Sequence, residues 1–382
     1  MRRKSRTTHH LDKQIDRRSA TPIRTNRKRL AQLIIPALAI AAIGTTVTAA
    51  WGWSAGWIGT RVTATRFVDV MEQTNGKVYT GFRRAHSKGI CVTGRFQPAA
   101  GAASLSKARV FHQANVPVLG RLSIAGADPH APDATQRVRS MALLLRTDDG
   151  QQWRTAMNSF PFFPVSTPQG FYDQRLATAP DPATGKPDPE KLHVFFAAHP
   201  EARNYDAWAT TAPWPNSWAN TQFNGVDAFR FVNDIGARTN VRWAMRPQEP
   251  FVAMSAQQRA GADNEYLSED FERRVALGPV RWDLVVTIAA PGDPIDDPSR
   301  PWPAGRVQIV AGTLELDKMT PQATGPCRDV NFDPLVLPNG IEPSDDPVLA
   351  ARSTVYAQSY NRREREIARG QATDATGQEV PR

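Results

Sequence analysis

Hydrophobic and polar positions change their period several times along the chain. Residues 30–59 contain no charge, and the apolar run that begins Leu33-Ile34-Ile35-Pro36-Ala37-Leu38 continues to Trp51 and Trp53. A bilayer needs about 20 helical residues, so residues 30–53 are predicted to form one transmembrane helix or uncleaved signal anchor. Between 62 and 81, Val62, Phe67, Val70 and Met71 recur near helical spacing, with Gly76 placed to end the helix. After Gly89 the period falls to two. Runs at 89–96, 116–124, 141–146, 228–233, 241–245, 282–290 and 308–316 read as strands, and Asn233-Asp234-Ile235-Gly236 supplies a turn between two of them. Helical patterns return at 187–202, 254–278 and from 345 onward, while 176–190 and 291–305 are Pro/Asp-rich loops. Many strands, with 31 prolines and 25 glycines, predict a closed or strongly curved antiparallel sheet with long wrapping loops and few helices, an α+β chain.

Composition changes this picture in two places. The formal charge of +10 resembles a nucleic-acid footprint until it is located: residues 1–29 hold eleven Lys/Arg and two Asp, and the rest of the chain is nearly neutral. A basic cytoplasmic tail therefore replaces a nucleic-acid-binding body. Arg27-Lys28-Arg29 before the apolar run and Trp51, Trp53 and Trp57 after it follow the positive-inside rule and the aromatic belt. The expected location is a single pass through the cytoplasmic (inner) membrane, with the body on the periplasmic or extracytoplasmic side. Val47-Thr48-Ala49 resembles a cleavage site, but the span is longer than the apolar region of a signal peptide. Cys91 and Cys327 are the two cysteines. They could pair in an oxidising compartment, but Cys91 is read as a buried, unpaired strand residue.

The chemistry starts from the last long helix. Asp346 is placed to cap it, Pro347 occupies its first position, and no breaker follows until Gly370. Arg352, Tyr356, Tyr360 and Arg363 share one face. A guanidinium one turn before a phenol favours an ionised oxygen, and a phenolate binds ferric iron. On its own, this spacing also fits an ordinary half-buried aromatic. Three other patterns stand far away in sequence: Arg83-Arg84-Ala85-His86-Ser87-Lys88-Gly89, Arg121-Leu122-Ser123, and Trp153-Arg154-Thr155-Ala156-Met157-Asn158-Ser159-Phe160-Pro161-Phe162-Phe163 with Phe171 beyond.

In the order His, Arg-x-Ser, Asn, Arg-x3-Tyr, and with Pro338-Asn339-Gly340-Ile341-Glu342-Pro343-Ser344 leading into the last helix, residues 78–365 resemble the haem catalase family. The closest likeness is to its short branch, the catalase-related peroxidases. The resemblance implies a catalase-like antiparallel β-barrel with surrounding helices over 61–369, followed by a disordered tail at 370–382. It implies haem b (iron protoporphyrin IX), with Tyr356 as the iron ligand and Arg352 keeping it ionised. His86 would be the distal acid/base, Asn158 the amide that orients peroxide, and Ser123 the hydroxyl that holds the imidazole. Arg83, Arg121 and Arg363 would clamp the propionates, with Phe163 and Phe171 as apolar walls.

Departures from the family pattern are Pro164, Thr354, Ala357-Gln358 and Tyr360. The chain also stops before the wrapping segment and C-terminal helical domain of full-length catalases. Wider access is therefore expected, and with it peroxidase activity on hydrogen peroxide or organic hydroperoxides. An organic electron donor, weak catalase activity and a monomer or small homo-oligomer are also expected. The alternatives are a fatty-acid hydroperoxide isomerase or lyase, and a non-catalytic haem-binding membrane protein.

Overall fold

The computed structural model describes residues 26–54, with side chains at residues 34–52, and residues 62–371. Most of the expected basic tail, and the expected polar tail beyond residue 371, lie outside the described residues. Contacts divide the chain into a unit of residues 1–61 and a unit of residues 62–382.

In the first unit, α1 (Asn26–Ser54) runs through Pro36 without ending. Its Ile34–Gly52 stretch is long and apolar enough to cross a membrane. Thr45, Thr46 and Thr48 donate their hydroxyls to carbonyls one turn back, at 2.7, 2.8 and 2.7 Å to Ala41, Ala42 and Gly44. Self-satisfied hydroxyls of this kind lower the cost of placing threonine among apolar residues.

The second unit opens with α2 (Ala64–Thr74), which is shorter than the stretch 62–81 predicted from spacing. Then come β1 (Gly89–Pro98), β2 (Val116–Ile124), β3 (Arg139–Arg146), β4 (Gln152–Asn158), α3 (Pro168–Ala177), α4 (Pro189–Ala198) and α5 (Ala202–Thr211). They are followed by β5 (Phe223–Asn224), β6 (Phe229–Val232), β7 (Arg238–Pro247), α6 (Ala256–Ala260), α7 (Tyr266–Leu277), β8 (Val280–Ile288), β9 (Gln308–Pro321), β10 (Ile341–Pro343) and α8 (Pro347–Ala368). The stretch predicted at 187–202 is one helix, α4, with α5 starting where that stretch ends, and the stretch predicted at 254–278 is two, α6 and α7. His199-Pro200 breaks the first, because a residue before proline is pushed out of the helical region. Gly261 caps the end of α6 in the second.

Strands β1, β2, β3, β4, β5, β7, β8 and β9 pair antiparallel in a ring, because β9 returns to β1 and β7 also pairs with β8. Strands β6 and β10 extend from β7 as a side ribbon. Alternate residues fill the interior: Phe96, Leu122, Leu143, Trp153, Trp243 and Trp282 are all buried in one continuous core. Each large apolar side chain so removed from water contributes about 1.5–3 kcal/mol. At Gly94, where the β1–β9 register shifts, an added Cβ would lie 1.9 Å from the Glu315 carbonyl oxygen, so only glycine allows the approach that closes the ring.

The outer face is what positions the site. Cross-strand pairing aligns Gly89, Ser123, Ser140 and Asn158 in one row and Cys91, Arg121, Ala142 and Ala156 in the next. Ala142 and Ala156 leave a shallow floor where larger side chains would fill the space. α8 starts as its sequence predicts, with the Asp346 carboxylate accepting from the Val348 and Leu349 amides at 2.8 and 3.3 Å. It packs against α2 and α3. Arg84, buried, joins Glu72 of α2 to Glu366 of α8.

The unpaired reading of Cys91 is corrected: Cys91 and Cys327 form a disulfide across 236 residues of sequence. Burial and pairing coexist here, since both sit with Leu144 and Phe332 in a small outer cluster. The bond fixes the segment carrying Val330, Asn331 and Phe332 against β1. Cys91→Ser or Cys327→Ser is expected to lower unfolding free energy by about 2–4 kcal/mol, measured by chemical denaturation of the oxidised protein.

Candidate active site

Between the outer barrel face and α8 lie two adjoining cavities, of about 150 and 380 Å³, which share Met71, Ala85, His86, Asn158, Val355 and Tyr356 in their walls. All ten residues singled out from sequence line one or both of them. Arg83, Arg121, Ser123 and Arg363 stand in the smaller, and Phe163, Phe171 and Arg352 in the larger. The phenol of Tyr356 reaches the space from α8, and the imidazole of His86 from the entry to β1.

His86 sits at φ 54°, in the left-handed region that a side chain with a Cβ adopts at a cost. Its backbone is held there from both sides. The Ser87 amide donates to the Gly126 carbonyl at 3.0 Å, and Arg121 Nη2 donates to the His86 carbonyl at 2.6 Å. The hydroxyl beside Nδ1 belongs to Ser140, at 3.0 Å, and not to Ser123 as the sequence reading expected. The two serines face each other across β2 and β3, so an error of one strand separates the readings. Ser140 also donates to Asn158 Oδ1 at 2.6 Å. A hydroxyl has one proton to give, so with this orientation of Asn158 the Ser140 oxygen accepts from Nδ1–H and leaves Nε2 as the basic nitrogen. Burial first, and then the charge of Arg121, push the imidazole down to about 4. It is therefore neutral across the physiological range.

Arg352 is fixed more tightly than sequence spacing could show. It is paired with the fully buried Asp227, donates Nη2 to the Ala156 carbonyl at 2.7 Å, and approaches the Tyr356 hydroxyl at 3.4 Å. Burial opposes its charge, but Asp227 and then Tyr356 outweigh burial and hold the guanidinium above its ordinary value. Asp227 was not found from sequence, and no local pattern marks it. It is aimed by a tight turn in which its amide donates to the Gly225 carbonyl at 2.7 Å and Val226 takes φ 55°. A β-branched residue in that region carries about 1–3 kcal/mol of strain. Asp227 Oδ1 and Asp346 Oδ2 are both buried without a conventional donor. Burial, followed by the charge of Asp227, pushes Asp346 up to about 8.

At the other end, Arg83, Arg121 and Arg363 converge. Burial first, and then the charges of Arg121 and Arg363, push Arg83 well below the ordinary guanidinium value. Burial and Arg363 bring Arg121 to about 9. Asp329 and Glu364 offset this cluster in part, at 3.8 and 3.2 Å from Arg363, and Arg363 Nε is buried with no partner. Three crowded cations beside a flat-floored cavity fit a planar group bearing carboxylates, and the propionates of haem meet that description. The phenol of Tyr356 and the apolar pair Phe163 and Phe171, with ring centroids 4.9 Å apart, complete a cradle of that kind.

Replacing Asp227 by Asn should destabilise the fold by about 3–5 kcal/mol in equilibrium unfolding, because Arg352 would remain buried without its counter-charge. Asp346 behaves differently. Because its folded pKa is raised to about 8, its stabilising contribution is complete in acid and is lost as pH rises through that value. Asp346→Asn keeps an acceptor for the cap and removes the titrating group. Thermal unfolding of this variant should lose the decline between pH 5 and 8 that the parent shows.

Comparison with known proteins agrees with this geometry. Residues 66–366 match the Catalase family model. The chain is 38% identical to the catalase-related peroxidase of Synechococcus elongatus over 81% of its own length and 91% of that protein. It is 32% identical to the catalase-related peroxidase of Mycolicibacterium paratuberculosis over 79% and 95%. With the catalase of Pseudomonas aeruginosa it shares 27% identity over 72% of its length, spanning 56% of that larger protein. An eight-stranded ring, a tyrosine one turn after a buried arginine and a family match across nearly the whole second unit agree: the chain belongs to the catalase family.

Proposed function

We propose that the protein is a membrane-anchored haem b peroxidase that reduces hydrogen peroxide or organic hydroperoxides at the expense of an organic electron donor. It is an oxidoreductase acting on peroxide. Haem bound in the cradle would be ligated by the Tyr356 oxygen, held at its propionates by Arg83, Arg121 and Arg363, and packed against Phe163 and Phe171. Bound there, it supplies the electrons that cleave the O–O bond and recovers them from the donor.

The observation that carries this reading is the Ser140 bridge between His86 and Asn158. His86 Nε2 accepts the proton from one peroxide oxygen and returns it to the other as the bond breaks. Ser140, by accepting from Nδ1–H, keeps the base on Nε2 throughout. Asn158 has its Oδ1 engaged by Ser140, which leaves the Nδ2 donors for the peroxide. A protein that merely carries haem has no use for this pair.

The larger cavity supports access by molecules bulkier than hydrogen peroxide, since its walls are mostly apolar and Pro164 stands among them. The disulfide supports a body in an oxidising compartment, with the charge-free Ile34–Gly52 stretch of α1 as its anchor and residues 27–29 on the cytoplasmic side.

Haem-loaded protein should show a high-spin ferric spectrum whose Soret band changes in Tyr356→Phe. His86→Ala should slow hydroperoxide cleavage by at least about a hundredfold while haem stays bound. With the imidazole at about 4, the rate should be flat from pH 5 to 7 and fall only below that. Donor oxidation should exceed oxygen evolution on the same sample, and oxygen evolution without donor oxidation would exclude the proposed reaction.

A further inference from the structure

Among the described residues, one cation in the wall of the larger cavity has no counter-charge. Arg175, on α3, donates Nη2 to Thr74 Oγ1 at 2.8 Å and to Asn75 Oδ1 at 2.7 Å. Its Nε is buried without a partner, and its contacts give Nη1 none. No carboxylate among the described residues pairs with it, and burial pushes it below the ordinary guanidinium value. The other two guanidinium groups in the same wall are neutralised, Arg84 by Glu72 and Glu366 and Arg352 by Asp227. No Asp or Glu among the described residues lines the cavity, whose walls include His86, Asn158, Val138, Phe160, Arg175 and the exposed Thr178.

An apolar chamber with reacting groups at one end and an unpaired guanidinium in its wall suits a molecule with a matching division of polarity. Resting on the peroxidase reading above, we propose that the preferred oxidant is an organic hydroperoxide with a carboxylate on an apolar body. Arg175 receives the carboxylate through Nε and Nη1, and the hydroperoxide lies between His86 and Asn158. The attraction is strong because the cation is already desolvated and pays little further cost on binding. Thr74 and Asn75 hold the guanidinium in place beforehand, so less side-chain freedom is lost when the acid arrives.

The test compares linoleic acid hydroperoxide with its methyl ester on the haem-loaded full chain. The acid should have a KM at least about tenfold lower than the ester, as expected for a charge-assisted contact. Arg175→Gln should bring the ratio near one, and Arg175→Lys should retain a preference for the acid. Equal KM values in the parent, or an unchanged ratio in Arg175→Gln, would overturn the proposal. Binding of the unreactive hydroxy acid and its methyl ester, followed by calorimetry, decides the same question without turnover. If no hydroperoxide is cleaved but the hydroxy acid binds better than its ester, the peroxidase reading fails and the anion site stands. If cleavage proceeds with no head-group preference, the anion site fails alone.

Discussion

Arg352 is a cation deep inside the protein, and the surrounding structure is arranged to keep it charged and still. A buried guanidinium is tolerable only when its partners are complete. Asp227 supplies the counter-charge, the Ala156 carbonyl of the barrel wall accepts a second bond, and the Tyr356 phenol completes the set. These partners come from a strained turn, a strand and a helix, so one side chain fixes three elements relative to each other. The orientation of α8, and with it the placement of Tyr356 and Arg363, follows from satisfying that charge. The raised Asp346 belongs to the same constraint, because burial and the charge of Asp227 both disfavour a second carboxylate beside Arg352.

The parts of this arrangement legible in the sequence are those set by local rules. Asp346-Pro347 announced the start of α8, and the residues at 116–124 and 308–316 announced strands through alternation. The site residues emerged through their order along the chain, which let one family resemblance gather ten positions that the fold then placed in adjoining cavities. What stayed hidden depends on register and on contacts across long separations. Ser140 differs from Ser123 only in its strand, and the hydrogen bond to His86 follows from which of two facing hydroxyls lies nearer the ring. Strand β4 escaped notice because polar Thr155 is buried while Ala156 lines the cavity on the other face, which disguises the alternation. Asp227 carries no motif, and α3 was masked by the Pro/Gly content that its capped start at Thr167-Pro168 uses. Cys91 and Cys327 could not be matched by spacing alone.

Positive charge is gathered around this chamber at a cost to the unliganded fold. Arg83, Arg121 and Arg363 repel one another, and Arg175 is desolvated without a counter-ion. Any anion that binds the folded state and not the unfolded chain recovers that cost, so occupancy and stability rise together. The shallow floor at Ala142 and Ala156 works to the same end, since a flat group laid there replaces side-chain packing that the barrel face lacks.

The cross-link between Cys91 and Cys327 also bears on how the molecule is made. Arg83 donates to the carbonyls of Cys327 and Val330 at 3.2 and 2.9 Å, so one wall of the chamber hangs from the sulfur bridge. The later cysteine is followed by only about the last seventh of the sequence, so the bridge closes late in synthesis or after it and then needs an oxidant. Reducing the bridge would therefore loosen the wall against which Arg83 is held, and with it one side of the chamber.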